Sequence, residues 1–363
     1  MKQKLFYFLA CAMVVLCMAG CGDTNDPEHK AFSFRLVRKG DVAATMVVTP
    51  ANSQAEYIVG HVDRETVWDD EVLASYIRNK RLNGHTYQEL RNNSEVVCGE
   101  SRIEATDLKP ASENVLYACQ VDKELNIVKL SFEYVTTLPA GQLNGEFTVD
   151  ANGTKVRFSK GNLRCKNKDQ TYYFADNQWD ALRGANSFSA TWRDLLLCSK
   201  TMGTPPIEYG HESIVNGGNA PDQWFTLSGD QWEYLLKSRE RAKELNRVGY
   251  ITIDGTNDIK GLIFLPDNWS GISLSEKYAF TAFEWWEMEL AGAVFLPVTG
   301  FSNSSRFDKT DDLNIGYYMS TTKLSTGAYP VVILEFPNVE GRATVSQMMY
   351  DCFIATRLVQ KIK

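Results

Sequence analysis

Histidine is scarce in this chain of 363 residues. His29, His61, His85 and His211 lie far apart, which argues against a multi-histidine metal site. No CxxC pair occurs, so zinc ribbons and thioredoxin-like redox chemistry have no support. Excess positive charge is missing as well. The formal charge is −7, and a chain with no basic excess has little to draw it to a phosphate backbone, which disfavours nucleic acid as a partner. Low-complexity stretches and long charge runs are absent. What remains is the composition of a folding chain, with 44% hydrophobic and 23% charged residues. Its length suits two domains.

The long apolar run at the N-terminus extends from Leu5 to Gly20, behind Met1-Lys2-Gln3-Lys4. It is short for a membrane-spanning helix and ends in small residues, as a signal peptide does. Met18-Ala19-Gly20-Cys21 resembles a bacterial lipobox, which implies cleavage before Cys21 and lipidation of its thiol. Residues 1–20 are then a lipoprotein signal peptide and 21–30 an acidic tether. The expected location is the outer membrane, lipid-anchored and facing the cell exterior. Five thiols would remain beyond Cys21: Cys98, Cys119, Cys165, Cys198 and Cys352. An odd number without close pairs argues against a disulfide framework, and Cys98 and Cys119 read as small buried hydrophobes.

From Ala31 the pattern has a period of two. Phe32, Phe34 and Leu36 alternate with polar residues, and strands are expected near 44–49, 55–62, 102–105, 115–121 and 127–134. Two short helices interrupt them. One follows Asp69 and carries Val72, Leu73, Tyr76 and Ile77 on one face; the other opens with the capping box Thr86-Tyr87-Gln88-Glu89. Short strands with turn signals over about a hundred residues predict a β-sandwich. Leu108-Lys109-Pro110 followed by the Tyr117 strand is similar to fibronectin type III domains, which implies such a sandwich, with a helical insertion, over residues 31–138. Its expected role is to hold the next domain away from the membrane.

Leu138-Pro139-Ala140-Gly141 reads as a linker, after which residues 141–363 form a second domain. Two capping boxes, Ser228-Gly229-Asp230-Gln231 and Thr281-Ala282-Phe283-Glu284, predict helices. The first carries Trp232, Leu235, Leu236, Ala242 and Leu245 at helical spacing, the second Phe283, Trp286 and Leu290. Gly261–Pro266 and Gly292–Pro297 echo each other as apolar runs stopped by proline, as buried strands would be.

The segments GEFTV, GTKVRFSKGNL, YYFADNQWD, WFTLSGDQWEYLL, GLIFLPDNW, GAVFLPVTG and GYYMSTT follow in order. The series resembles a domain found in many Bacteroidota lipoproteins, is similar to the Fibrobacter succinogenes major paralogous domain, and is distantly similar to the formylglycine-generating enzyme superfamily. The resemblance implies a C-type-lectin-like α+β fold. It departs at Ala355-Thr356-Arg357-Leu358-Val359, where the ending is usually SVRLV.

Catalysis finds no footing. Cys352 stands without a nearby second thiol, no GxSxG elbow occurs, and His211 is the domain's lone histidine. Glu284 and Glu287 read as the solvated face of a helix, so no catalytic residue, cofactor or metal is expected. The long loops 184–223 and 300–318 are the candidate ligand surface. Trp192, Tyr209, Phe301, Tyr317 and Tyr318 would offer aromatic faces to a sugar, and Asn219 and Arg306 would bond its hydroxyls. The expected function is non-catalytic recognition of a glycan or a surface protein. A structural subunit of a surface assembly such as a fimbria is the alternative, and a hydrolase or modifying enzyme is a third.

Overall fold

Alternating side chains beginning at Phe32 build two facing sheets in the computed structural model, which describes residues 30–180, 191–197, 207–253, 257–303, 314–322, 328–335, 341–348 and 352–362. The leader and Cys21 lie outside the described residues. With 43% strand and 17% helix the chain is mostly β, arranged as several small sheets and few helices. No helix among the described residues is long and apolar enough to cross a membrane.

In the first segment the strands are β1 (Phe32–Lys39), β2 (Ala44–Pro50), β3 (Glu56–Asp63), β4 (Val96–Cys98), β5 (Ser101–Ala105), β6 (Glu113–Val121) and β7 (Ile127–Thr136). They pair as β1-β2-β5 and β4-β3-β6-β7, all antiparallel. Phe32, Met46, Val48, Tyr57, Ile103 and Leu116 fill the space between the sheets. The other face of the second sheet is covered too. There Ile58, Val115, Tyr117 and Cys119 meet Leu73, Ile77 and Leu90. These come from α1 (Asp70–Ile77) and α2 (Tyr87–Asn92). β6 is therefore apolar on both faces, which explains its unbroken run from Val115 to Cys119.

Both helices start as their sequences dictate. Asp69 accepts a bond from Val72 N at 2.8 Å, and Thr86 and Glu89 exchange the two bonds of a capping box. Cys119 is buried as expected, but Cys98 is exposed, because β4 is a three-residue strand on the sheet edge; its thiol donates to Ser53 O at 3.4 Å.

The expected linker is pinned. Leu138 N donates to Gly40 O, Gly141 N to Asp41 Oδ2 at 2.8 Å, and Lys160 N to Gly141 O at 2.7 Å. Asp41 is buried and also receives Lys160 Nζ at 3.1 Å. Arg35 pairs with Glu287, and the guanidinia of Arg38 and Arg102 lie over the rings of Trp286 and Phe283. Residues 31–363 form one compact unit, yet the core clusters of residues 32–135 and those beginning at Leu143 share no residue.

Among the described residues, five three- or four-stranded sheets make up the second segment, and three of them frame it. In one, Lys155–Phe158 pairs with Leu358–Lys361, which also pairs with Phe225–Thr226. In another, the two echoing apolar runs are neighbours: Gly261 faces Pro297, Leu262 faces Leu296 and Ile263 faces Phe295. The third joins Ile315–Met319, Tyr329–Glu335 and Arg342–Met348. Ser228 caps α3 (Gly229–Glu233) and Thr281 caps α5 (Ala282–Leu290), both with complete capping boxes.

Two expectations are corrected here. The single helix expected from Trp232 to Leu245 is broken. A wider π-turn spans Tyr234–Ser238, Arg241 takes φ 57°, and α4 (Ala242–Leu245) follows, although all five of the expected apolar residues are buried. In α5 the buried stripe is Trp285 and Met288, not Phe283, Trp286 and Leu290. Phe283 and Trp286 are half-buried because the first segment's arginines cover them.

Candidate functional site

The centre of the second segment is polar, and its chemistry is structural. Arg357 is fully buried. One guanidinium nitrogen donates to Gln178 Oε1 at 2.8 Å and to Phe295 O at 3.0 Å, the other to Asn162 Oδ1 at 3.4 Å. Asn162 Nδ2 donates to the Tyr318 hydroxyl, which donates to Pro297 O at 2.7 Å. Gln178 Nε2 reaches Glu289 Oε2 at 2.7 Å, and Gln178 Oε1 accepts Phe295 N. Burial lowers the pKa of Arg357 to about 10 and raises that of Glu289. These bonds tie the residues to one another and to the ends of the strand at Val294–Pro297, and among the described residues Arg357 Nε alone of the guanidinium nitrogens is buried without a partner. The arginine of the ATRLV ending thus serves the fold.

An open groove of about 1100 Å³ lies beside the junction. Its walls come from the junction (Pro139, Ala140, Gln142), the stretch 208–226, Gln231 at the start of α3, Thr321, and the C-terminal strand at Gln360 and Lys361. Neutral amides and hydroxyls dominate: Gln142, Gln223, Thr226, Gln231, Thr321 and Gln360. Phe225 is half-buried on its wall, with Lys361 Nζ 5.5 Å from the ring centre.

Of the groove's charged side chains, Glu208, His211 and Asp222 are already engaged by neighbours, while Lys361 forms no ion pair among the described residues. Glu208 accepts from Gly210 N at 2.9 Å, Thr226 Oγ1 at 3.0 Å and Thr226 N at 3.1 Å. Burial raises its pKa, and these bonds hold the rise back. His211 Nδ1 bonds Asp222, which raises the histidine's pKa. A second hollow of about 260 Å³ lies between Arg164, Lys166, Tyr173 and Trp192. Arg164 is held there by Asp194 through two bonds of 3.0 and 3.1 Å. Among the described residues, no group of three His, Cys, Asp or Glu is placed to hold a metal ion.

The residues expected to bind a ligand are not brought to one surface. Trp192 is half-buried in the smaller hollow, edge-on to Tyr173. Asn219 is exposed at φ 53°, beside Gly218 on the rim of the groove. Phe301 and Tyr317 are half-buried and meet edge to face at 4.8 Å. Arg306 lies outside the described residues.

Tyr318 and Tyr209 are corrections. Strand alternation turns Tyr318 inward, opposite to Tyr317, into the network around Arg357. Tyr209 is buried against Tyr172, with its hydroxyl on Leu197 O at 3.0 Å. Neither ring offers a face to a ligand. Glu208, Gln223, Phe225 and Gln360 were not singled out in the sequence, because polar amides carry no periodicity and Phe225 reads as strand core.

Comparison of the chain with protein-family models, with curated proteins and with solved structures finds no match.

Proposed function

We propose that this is a lipid-anchored surface protein whose second segment binds a neutral glycan in the groove beside Phe225, without catalysing a reaction. The observation that carries this reading is the groove's chemistry. Six neutral hydrogen-bonding side chains surround a half-buried ring, and Glu208, His211 and Asp222 are already spent on neighbours. A hydroxyl-rich, uncharged ligand could exchange bonds with the amides and lay its C–H face on the ring. A phosphate or carboxylate would meet Glu208 and Asp222.

The order of motifs supports a C-type-lectin-like reading of the second segment. The two facing sheets and the Leu108-Lys109-Pro110 turn support a fibronectin-III-like reading of the first. Tyr117 is a departure, since it lies under the helices and not between the sheets. The junction pinned through Asp41 and Gly141 supports reading the first segment as a spacer.

Glycan-array screening of the whole chain should return neutral oligosaccharides, and Gln223→Ala with Gln360→Ala should abolish their binding without lowering the melting temperature. An array with no hits, or hits indifferent to both changes, overturns the assignment. Cys21→Ala should release the protein from membranes; a variant that stays with them after high-salt washing removes the anchor from the proposal.

A further inference from the structure

We propose that β7 docks against β7 of a second copy of this chain, antiparallel, about a two-fold axis through Ser131. β7 is ten residues long and, among the described residues, lies at the edge of its sheet, paired with β6 alone. Which of its backbone groups face outward follows from one bond. Thr137 N donates to Ser112 O, so that pair is hydrogen-bonded, and alternation makes Val115–Tyr134, Tyr117–Phe132 and Cys119–Leu130 the non-bonded pairs across β6 and β7. The amides and carbonyls of Leu130, Phe132 and Tyr134 therefore point away from β6. An exposed edge of this length is a template for another strand.

The sequence of β7 selects the occupant. Read antiparallel about Ser131, Lys129 stands opposite the partner's Glu133 and Glu133 opposite the partner's Lys129. In the same register Leu130 meets the partner's Phe132, while Val128 sits at a bulge where the ladder's register shifts. Val128 and Tyr134 are 54% and 39% exposed, unusual for large apolar side chains at a sheet edge. Lys129 and Glu133 are exposed and form no ion pair among the described residues. A slip by two residues in either direction sets Lys129 against a neutral residue; a slip by four sets two lysines or two glutamates opposite each other.

Charges on an edge strand usually repel strand partners. Here the same charges admit an identical strand in a single register. The outward-facing residues of the bonded pairs, Leu130 with the partner's Phe132, have the parity that antiparallel pairing requires. The interface is isologous, as a closed dimer needs. Two four-stranded sheets would become one sheet running through both copies.

Sedimentation of the whole chain across a concentration series tests this. A monomer–dimer equilibrium is expected. Lys129→Glu and Glu133→Lys should each weaken dimerisation by about tenfold or more, because like charges then face each other twice. The double reversal should restore it, and a mixture of the two single variants should form heterodimers. Ser131→Cys, in a Cys98→Ser background, should crosslink under mild oxidation, since a non-bonded antiparallel pair holds its Cα atoms within disulfide reach. A chain that stays monomeric throughout overturns the proposal. So does a dimer indifferent to both reversals, or one that forms without crosslinking at Ser131.

Discussion

The two halves of the described chain bury their backbones by different means. Residues 31–138 use regular strands, whose ladders satisfy the main chain, so the interior can be almost wholly apolar. Residues 141–363 use short strands joined by irregular stretches, and the carbonyls left over are met by long polar side chains from inside. Arg357 takes Phe295 O, and Arg239 takes Leu235 O, Leu245 O and Leu265 O. Regular ladders make a half tolerant of single side-chain changes. A core that depends on two buried guanidinia should be brittle at those points.

The largest expected effect tests that brittleness. Arg357→Met keeps much of the volume but takes a donor from Asn162 Oδ1, from the Phe295 carbonyl and from Gln178 Oε1, which keeps only Phe295 N, in a closed interior. Each buried acceptor left without a donor is costly, and the sum should be about 3–5 kcal/mol in a urea melt. A substitution of the same kind in the first half, Cys119→Ala in β6, has no such partners to strand. If Arg357→Met cost no more than Cys119→Ala, the contrast between the halves would be wrong.

This contrast also decides what could be read from the sequence. Most of the first half's strands and helices were legible from a period of two or of three to four, and β6 from its unbroken apolar run, while the short edge strand β4 was not. Thr86, Ser228 and Thr281 announced their helices because a capping box is a local arrangement of hydroxyl, carboxylate or amide. The stripe on α5 was misplaced, since the helix is covered from two sides and the first segment's Arg38 and Arg102 cannot be foreseen from its own spacing. Gln178 and Arg357, far apart in sequence, gave no sign of meeting. The groove was illegible for the same reason: its amides come from residues 142, 223, 231 and 360, which only the fold assembles.

Between the halves stands Asp41, and its removal should have the next largest effect. Asp41→Ala leaves Lys160 poorly hydrated without its anion, and Gly141 N without an acceptor. The cost should be about 2–3 kcal/mol, less than at Arg357 because the lysine can swing toward water. Limited proteolysis should then cut within residues 138–142, where the parent chain resists. Resistance equal to the parent's would show that the arginine contacts on α5 hold the junction alone.

Smaller again is the helix start at α3. Ser228 Oγ accepts Gln231 N at 3.2 Å, and Gln231 Oε1 accepts Ser228 N at 2.9 Å. Ser228→Ala should cost about 1 kcal/mol by denaturant titration. Gln231 also lines the groove, so Ser228→Ala should weaken glycan binding more than Ser238→Ala, which lies beyond the cap. Equal affinities would separate the cap from the site.

The smallest effect is a slope with pH. Burial raises the pKa of Glu289 above its ordinary value, while the Gln178 bond and the nearby guanidinia of Arg38 and Arg357 oppose the rise. A folded state with a raised carboxyl pKa holds a proton that the unfolded chain has released. Its stabilising contribution is therefore complete below the ordinary pKa of 4.5 and is lost as pH climbs through the folded value. Glu289→Gln keeps an oxygen for Gln178 and cannot ionise. Parent and variant should match in stability at acid pH, and the variant should gain steadily on the parent as pH rises to neutrality. The same comparison at Glu89, an exposed capping carboxylate whose pKa is lowered by its bonds to Thr86, should run the other way, with the parent gaining on Glu89→Gln as pH rises. Parallel slopes at the two sites would mean that burial at Glu289 does not govern its proton, and that the polar interior of the second half is wetter than its hydrogen bonds imply.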